Sequence, residues 1–230
     1  MELSKRLMTV ASGVTKGNRL ADIGTDHGYI PIYLVQEGIC PSAIAMDVNQ
    51  GPLDRAESHI REYGLADKIG TRLSNGLERL DPSEADSIVI AGMGGALMTD
   101  ILTKGIHVVN AGKELILQPQ SEIFKVRHFL HENGYAIVEE QIVKEEGKYY
   151  FIIKALPGEQ HYGEEYLYEY GEILLREKSP LMLEYLEREM TKYHKIMESL
   201  NDNDSQASQV RRQEMKSCIL KLEKAYHYEM

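Results

Sequence analysis

The sequence predicts an α/β fold followed by a helical extension, and two observations support this. Short apolar, β-branched segments alternate with helical patterns through about residue 156, as in a parallel sheet with helices on both faces. After Pro157 and Gly158 the chain becomes rich in Glu, Lys, Leu and Tyr, with apolar residues at helical spacing. We therefore expect two domains, residues 1–157 and residues 158–230, the second a helical hairpin or coiled coil.

The elements of the first domain follow in order from the positions of the apolar residues. Leu3, Leu7, Val10 and Val14 lie at helical spacing and predict a first helix that ends near Gly17. Runs of β-branched and other apolar residues predict five strands, at residues 19–23, 42–47, 69–73, 86–91 and 114–118. The segments between them predict helices at about residues 30–38, 51–64, 93–104 and 121–133.

Two further β-rich segments close this domain. Residues 135–143 and 148–155 are joined by Lys144-Glu145-Glu146-Gly147, which is hairpin spacing, so we expect an antiparallel pair. Five parallel strands and this pair make a seven-stranded sheet. That count and order resemble the Rossmann-like sheet of class I S-adenosylmethionine-dependent methyltransferases, whose last strand inserts antiparallel.

Two long helices are expected in the extension, at residues 164–200 and 206–227. The polar segment Asn201-Asp202-Asn203-Asp204-Ser205 is predicted to form the turn between them. Apolar residues at helical spacing serve equally well to hold a bound partner and to form a dimer. The sequence leaves the choice between monomer and homodimer open.

Composition excludes several classes of protein. The 230 residues include 26 Lys and Arg against 36 Asp and Glu, for a net charge of −10, and the mean hydropathy is −0.36. These values are typical of a soluble globular protein without a broad basic face. No segment has the ~20 apolar residues of a membrane helix, and the first residues lack the apolar run of a signal peptide, so we expect a cytoplasmic protein. Cys40 and Cys218 match no metal-binding spacing and predict free thiols, and we expect no metal.

The loop after the first strand, residues 21–31, is the segment most informative about function. In open α/β sheets, ligands bind beyond the carboxyl ends of the strands, where the strand order reverses. Gly24 and Gly28 allow sharp turns and a close approach of the backbone to a ligand. Their GxxxG spacing differs from the GxGxxG of dinucleotide sites and favours another nucleoside-containing cofactor. Cofactor contacts are predicted for Asp22, Gly24, Thr25 and His27.

Three further loops at the same edge of the predicted sheet complete this cofactor site. Asp47 ends the second strand, where a carboxylate can accept both ribose hydroxyls, and Val48 follows it. Asn75 and Gly76, after the third strand, suit the adenine edge, although an ordinary Asn-Gly turn explains them equally well. Three glycines after the fourth strand let a ligand lie against bare backbone. In that block, cofactor contacts are predicted for Gly92 and Met93, and a substrate contact for Gly94.

Four motifs and the helical C-terminus form a distinctive combination. The motifs are Leu3-Ser4-Lys5-Arg6-Leu7, the loop Ala21-Asp22-Ile23-Gly24-Thr25-Asp26-His27-Gly28-Tyr29-Ile30-Pro31, the block Ile90-Ala91-Gly92-Met93-Gly94-Gly95, and Leu115-Ile116-Leu117-Gln118-Pro119. Together they resemble the bacterial tRNA (adenine-22-N1)-methyltransferase family over essentially the whole chain. The resemblance implies S-adenosyl-L-methionine as cofactor, tRNA as substrate and N1 of adenosine 22 as the methyl acceptor.

For this chemistry the first loop offers two catalytic candidates, Asp26 and Tyr29. Methyl transfer places positive charge on the adenine ring, which the carboxylate of Asp26 would stabilise; the alternative is a residue that only shapes the turn. The ring of Tyr29 could stack on an adenine freed from pairing, or pack beneath the loop. His27 could act as a proton acceptor instead of contacting the cofactor.

Substrate contacts are predicted for Lys5, Arg6, Gly94, Gln118 and Pro119. Three basic sets are candidates for contacts with phosphate, with solvated helix faces as the alternative. They are Lys5, Arg6, Lys16 and Arg19; then Lys125, Arg127, His128 and His131; and, in the extension, Arg211, Arg212 and Lys216.

Two other functions stay open at this point. One is a methyltransferase that acts on a small molecule or a protein, with the helices forming oligomers. The other is a non-catalytic nucleoside-binding protein whose helices bind a partner. Methylation of adenine N6 is disfavoured, because no Asn/Asp-Pro-Pro-aromatic motif follows the fourth strand.

Overall fold

Residues 1–200 and 205–228 are described by the computed structural model of the protein. The chain divides into two units, Met1–His161 and Tyr162–Met230. The first contains the sheet, and the described part of the second is helical. The division at His161 follows shortly after the boundary that the sequence predicts at residue 157.

Seven strands form one sheet in the described part of the first unit. They are β1 (Leu20–Ile23), β2 (Ala43–Asp47), β3 (Ile69–Leu73), β4 (Ser87–Gly94), β5 (Glu114–Ser121), β6 (Tyr135–Glu145) and β7 (Lys148–Pro157). Their order across the sheet is β3-β2-β1-β4-β5-β7-β6. Strands β1 to β5 pair in parallel, and β7 lies antiparallel between β5 and β6. The predicted sheet with an inserted antiparallel strand is therefore confirmed.

Six helices lie before and between the strands in the described part of the first unit. They are α1 (Lys5–Ser12), α2 (Tyr29–Gln36), α3 (Gln50–Glu62), α4 (Gly95–Lys104), α5 (Ile106–Val109) and α6 (Ile123–Glu132). Helices α2, α3, α4 and α6 match predicted helices to within a few residues, whereas α1 ends at Ser12, before its predicted end near Gly17. The four residues of α5 are too few to show helical periodicity, so the sequence could not predict it.

The position of β1 determines where a ligand can bind. The chain runs from β1 outward to β2 and β3, and then returns to place β4 on the other side of β1. The connections after β1 and β4 therefore diverge, which opens a crevice at the carboxyl ends of these two strands. All four residues of β1 are buried, and this burial keeps the strand in the middle of the sheet.

Strands β4 and β5 extend beyond their predicted ends, to Gly94 and Ser121. Their register shifts between Ala91 and Met93, where Gly92 has a left-handed φ of 83°. The shift is a β-bulge, which lets pairing continue past an extra residue. Most of the glycine block is therefore strand, and α4 begins two residues later than the sequence predicts.

A buried ion pair joins α6 to β6. Nε of Arg127 donates to Oε1 of Glu140 at 2.7 Å, and both side chains are inaccessible to solvent. The prediction that Arg127 contacts phosphate is therefore wrong, because its face of the helix packs against the sheet. Arg19 precedes β1 and pairs with Asp86 at 2.9 Å, so it lies at the end of the strands opposite the crevice.

The extension contains more helices in its described residues than the two predicted. They are α7 (Glu165–Tyr170), α8 (Glu172–Glu177), α9 (Pro180–Leu200) and α10 (Gln206–Tyr226). The first predicted helix is interrupted at Gly171, with a φ of 84°, and at Lys178, with a φ of 45°. The long helices α9 and α10 contact each other. Four residues of the predicted turn, 201–204, lie outside the described residues, and the coiled coil stays a prediction.

Both cysteines carry free thiols, as predicted. Burial raises the pKa of the Cys40 thiol to about 11, so this thiol stays protonated at neutral pH. Across residues 1–200 and 205–228, no helix combines the length and the apolar character that crossing a membrane requires.

The buried ion pair predicts a large loss of stability when one partner is removed. Arg127→Met should lower the free energy of unfolding by about 3–5 kcal/mol, because the carboxylate of Glu140 then loses its buried cation. Chemical denaturation followed by circular dichroism measures this change. Arg127→Met combined with Glu140→Leu should recover most of the loss, since no buried charge is left.

Lys125→Met provides the matched control. It removes a cation from the same helix, and the side chain of Lys125 is 43% exposed. This variant should change stability little. Equal losses from Arg127→Met and Lys125→Met would show that burial of the ion pair does not matter.

Candidate active site

A cleft of about 350 Å³ lies beyond the carboxyl ends of β1 and β4. A volume of this size is typical of sites for small molecules. The lining includes six residues that the sequence predicts: Arg6, Asp22, Gly24, Asp26, Tyr29 and Gly92. It also includes four for which no ligand contact was predicted: Leu7, Ile30, Ala91 and Gln120.

Main-chain hydrogen bonds fix the loop that follows β1. The amides of Gly24 and Thr25 both donate to the carbonyl oxygen of Met46, at 2.8 and 2.9 Å. Gly24 and Gly28 have φ values of 77° and 68°, in the left-handed region that glycine tolerates. His27 is also left-handed, with a φ of 62°, which is uncommon for a residue with a Cβ. The chain thus turns sharply before α2 begins.

Asp22 is the buried acid of the cleft. Only 5% of the residue is exposed, and burial raises the pKa of its carboxyl to about 6. The nearby hydroxyl of Thr25 lowers this pKa, and the negative charge of Asp47 raises it. A cationic group of a ligand would favour the ionised carboxylate, so Asp22 is suited to bind one. Thr25 is buried and supports Asp22 from outside the cleft lining.

The bulge in β4 exposes bare backbone to the cleft. Gly92 lies in the lining and is exposed. Met93 extends toward the loop after β1, where its terminal methyl group would collide with a Cβ at position 24. The left-handed φ is the reason that position 24 favours glycine, since the flexible end of Met93 could move away from a Cβ.

Packing explains the next two glycines of the block. A Cβ at Gly95 would collide with the carbonyl oxygen of Glu122 and lie 2.7 Å from that of Ser121. A Cβ at Gly94 would lie 3.1 Å from Oγ of Ser121. These positions bring the start of α4 against the end of β5. The predicted substrate contact of Gly94 stays a prediction.

Asp47 and Val48 follow β2 beside this loop. Oδ1 of Asp47 accepts a hydrogen bond from the amide of Asn49 at 2.7 Å. Among the described residues, no hydrogen bond reaches its Oδ2, which a ligand hydroxyl could use. Val48 is 58% exposed, so its side chain offers an apolar surface at the same edge of the sheet. Both residues stay candidates for cofactor contacts.

The turn at Asn75 and Gly76 is explained by local contacts. Nδ2 of Asn75 donates to Oε1 of Glu78 at 2.7 Å. Gly76 has a φ of 58°, and a Cβ there would lie 2.8 Å from Cγ2 of Ile101. Neither residue belongs to the cleft lining, and their contact with the cofactor stays a prediction.

Helix α1 brings Arg6 to the cleft. Nη1 of Arg6 donates to Oε1 of Gln118 at 2.8 Å, and its guanidinium carbon lies 5.5 Å from the centre of the Tyr150 ring. Two partners from the sheet thus orient this cation. Lys5 is exposed on the same helix, outside the cleft lining.

The end of β5 differs from the sequence prediction. Gln118 is fully buried, and its Nε2 donates to the carbonyl oxygen of Pro119 at 3.2 Å. Pro119 is buried as well, and Gln120 is the residue of this segment that reaches the cleft. Gln118, predicted to contact substrate, instead orients Arg6. The difference arises because β5 continues to Ser121, beyond its predicted end.

The two catalytic candidates lie together at the mouth of the cleft. The side chain of Asp26 is 66% exposed, and its Oδ1 lies 2.9 Å from Nη2 of Arg55 and 3.5 Å from Nε2 of His27. The ring of Tyr29 stacks on that of His27, with ring centres 5.1 Å apart and 6° between their planes. His59 adds a third, nearly parallel ring.

Arg55 and His59 of α3 were not predicted as site residues. The sequence does show that these two basic residues lie four positions apart, and so on one face of a helix. Periodicity does not show which neighbouring element that face contacts.

Comparison with known proteins identifies the family. Residues 3–153 match the family described as a methyltransferase domain. The tRNA (adenine(22)-N(1))-methyltransferase of Bacillus subtilis (strain 168) is 40% identical over 160 residues, which are 70% of this chain and 67% of that protein. The crystal structure of the B. subtilis m1A22 tRNA methyltransferase TrmK matches with a TM-score of 0.90 at 32% identity, over 98% of this chain and 99% of that one.

A second solved structure gives the same result. It is M. capricolum TrmK in complex with S-adenosyl-homocysteine, with a TM-score of 0.86 at 31% identity over 98% of both chains. The sequence match includes the loop after β1 and the bulge in β4, which build the cleft. The chain therefore belongs to the bacterial tRNA (adenine-22-N1)-methyltransferase family of class I S-adenosylmethionine-dependent methyltransferases.

Proposed function

We propose that the protein transfers a methyl group from S-adenosylmethionine to N1 of adenosine 22 in tRNA. The cleft is the observation that carries this proposal: it combines the buried acid Asp22, bare backbone at Gly24 and Gly92, and the exposed side chains of Asp26 and Tyr29. Family membership and 40% identity to the B. subtilis enzyme support it. Residence in the cytoplasm is part of the same proposal, because tRNA is found there.

The residues of the cleft fit S-adenosylmethionine. The carboxylate of Asp22 suits the ammonium group of the cofactor, and the bare backbone at Gly24 and Gly92 permits close approach. Asp47 and Val48 lie outside the cleft lining, and we propose that Asp47 accepts the ribose hydroxyls and that Val48 contacts the adenine. When bound, S-adenosylmethionine supplies an activated methyl group on its sulfonium.

Asp26 and Tyr29 suit the target adenine. As the bond from N1 to the methyl carbon forms, the bond from that carbon to sulfur would break, and the positive charge of the sulfonium would pass to the adenine ring. The carboxylate of Asp26 stabilises that charge and can accept a hydrogen bond from the exocyclic amine. The exposed face of Tyr29 offers a surface on which an adenine freed from pairing can stack.

Arg6 is the cation best placed to meet the RNA backbone near the cleft, with Lys5 on the same helix. A chain with a net charge of −10 has little non-specific affinity for RNA. Binding should therefore be sensitive to salt and selective for the shape of tRNA.

Methyl transfer to tRNA transcripts tests the proposal. With labelled S-adenosylmethionine, an unmodified transcript that has adenosine at position 22 should accept the methyl group. The same transcript with guanosine there should not, because N1 of guanine carries a proton that must be removed before it can attack. Acid-precipitable label measures transfer, and a primer-extension stop locates the methyl group. Equal transfer to both transcripts would contradict the assigned position, and transfer to neither would contradict tRNA as substrate.

The raised pKa of Asp22 predicts that cofactor affinity depends on pH. Since the ammonium group binds the ionised carboxylate, the Kd of S-adenosyl-homocysteine should fall as pH rises from about 5 to about 7, and level off above the pKa of about 6. Calorimetric titration measures this. Asp22→Asn should remove the dependence and weaken binding at pH 7 by about tenfold or more. If the Kd of Asp22→Asn kept the same dependence on pH, Asp22 would not be the group responsible for it.

The same variant should be more stable without ligand. The folded-state pKa of Asp22 lies above its ordinary value of 3.8, so its contribution favours folding at low pH and is lost as pH rises through about 6. Asp22→Asn should therefore raise the free energy of unfolding at pH 7 by about 1–3 kcal/mol. Chemical denaturation at about pH 5 and about pH 7 measures the change, which should be smaller at the lower pH. A loss of stability at pH 7 would contradict the assignment.

Asp26→Ala should slow the reaction without affecting the cofactor. We expect kcat to fall about 100-fold, as when a charge-stabilising group is removed, and the Kd of S-adenosyl-homocysteine to change little. Glu57→Ala is the matched control, since it removes an acid on α3 that pairs within the helix with Arg61. An undiminished kcat in Asp26→Ala would remove this residue from the mechanism.

A further inference from the structure

Two side chains of α3 hold the loop that carries the catalytic candidates. Arg55 and His59 lie four residues apart and hence on one face of the helix, and both contact this loop. We propose that Arg55 and His59 are positioning residues, which fix Asp26 and Tyr29 in the geometry that methyl transfer requires. The inference rests on the proposed function and deepens it. Both residues lie outside the cleft lining, so they act through the residues that they contact.

Arg55 acts on the carboxylate of Asp26. Its Nη2 donates to Oδ1 at 2.9 Å, the same oxygen that Nε2 of His27 approaches at 3.5 Å. In residues 1–200 and 205–228, no hydrogen bond reaches Oδ2 of Asp26. One oxygen is thus held from the protein side, and the other is left for the amine of a substrate. Because an exposed ion pair adds little to stability, this contact matters for orientation and not for folding.

His59 acts on the backbone of the loop. Its Nδ1 lies 3.0 Å from the carbonyl oxygen of His27. Since a carbonyl oxygen only accepts, Nδ1 must carry a proton in this contact. The left-handed φ of His27, 62°, is unfavourable for a residue with a Cβ, so this conformation depends on contacts from outside the loop. The hydrogen bond from His59 is such a contact.

The imidazole of His59 also supports the aromatic side chains. Its ring centre lies 5.2 Å from that of His27 and 5.7 Å from that of Tyr29, with planes within 20° of parallel. Three rings, from the loop after β1, the start of α2 and α3, thus pack side by side at the mouth of the cleft. His59 orients the ring on which the target adenine is proposed to stack.

Direct binding of phosphate is the competing explanation for Arg55, whose side chain is 46% exposed. The two explanations differ in how they depend on Asp26. A positioning residue loses its effect once the group that it positions is removed, whereas a phosphate contact keeps its effect. A double-mutant cycle therefore separates them.

The experiment measures kcat and the KM for adenosine-22 tRNA in single and double variants. Arg55→Ala should lower kcat about tenfold with KM changed less than about twofold, and should have no further effect in the Asp26→Ala background. His59→Ala should also lower kcat about tenfold. His59→Asn, whose side-chain amide replaces the lost donor, should recover about threefold of that loss. Arg61→Ala removes an exposed cation of the same helix and should leave kcat unchanged.

Hydrogen exchange provides a readout that is independent of catalysis. In the His59→Ala protein without tRNA, the amides of residues 24–30 should exchange about tenfold faster than in the wild-type and Arg61→Ala proteins. Failure of the wild-type protein to methylate tRNA would contradict the proposed function. Amide exchange in the loop would still test whether His59 positions it. Unchanged exchange in His59→Ala would overturn the inference. The inference would also be overturned if Arg55→Ala lowered kcat equally in the Asp26→Ala background, or if Arg55→Ala raised KM at constant kcat.

Discussion

Two main-chain hydrogen bonds at the end of β1 determine the arrangement of the site. The amides of Gly24 and Thr25 converge on the carbonyl oxygen of Met46 at 2.8 and 2.9 Å, which turns the chain out of the sheet directly after the strand. That turn leaves the carboxyl of Asp22 facing the cleft, sets bare backbone along the wall, and carries Asp26 to the mouth. It can do so because β1 lies between β2 and β4, where the strand connections diverge.

Two buried acids at opposite ends of the sheet show how a functional group differs from a structural one. Burial alone would raise the pKa of Glu114, but hydrogen bonds from Ser87, Thr15 and Lys154 outweigh it and lower that pKa. Asp22 is also buried, and there burial prevails, so its pKa rises to about 6. An acid that the fold leaves partly uncompensated, in a cleft, is typical of a binding site. Burying the Asp22 carboxylate without a partner cation lowers the stability of the fold. Such a cost is expected at a site where a ligand supplies the positive charge.

Sequence patterns predicted most of the sheet, because strand burial and helix periodicity are local properties of the chain. The motif in the loop after β1 also placed Asp22, Asp26 and Tyr29 at one edge of the sheet, where they line the cleft. Contacts between distant elements were beyond such patterns. Arg55 meets Asp26 across 29 positions, and the direction of that contact depends on how α3 packs. The continuation of β5, which brings Gln120 to the cleft, depends on pairing across a bulge in β4.

A structure of the protein with S-adenosyl-homocysteine and an adenosine-22 tRNA would test the central claim most directly. The claim is that the loop after β1, held by α3, presents Oδ2 of Asp26 to the target base. We expect Oδ2 within about 3.2 Å of the exocyclic amine of adenosine 22, with Oδ1 still bound by Arg55 and the adenine stacked on Tyr29. An adenine placed elsewhere in the cleft, with its amine beyond about 5 Å from Asp26, would contradict the account.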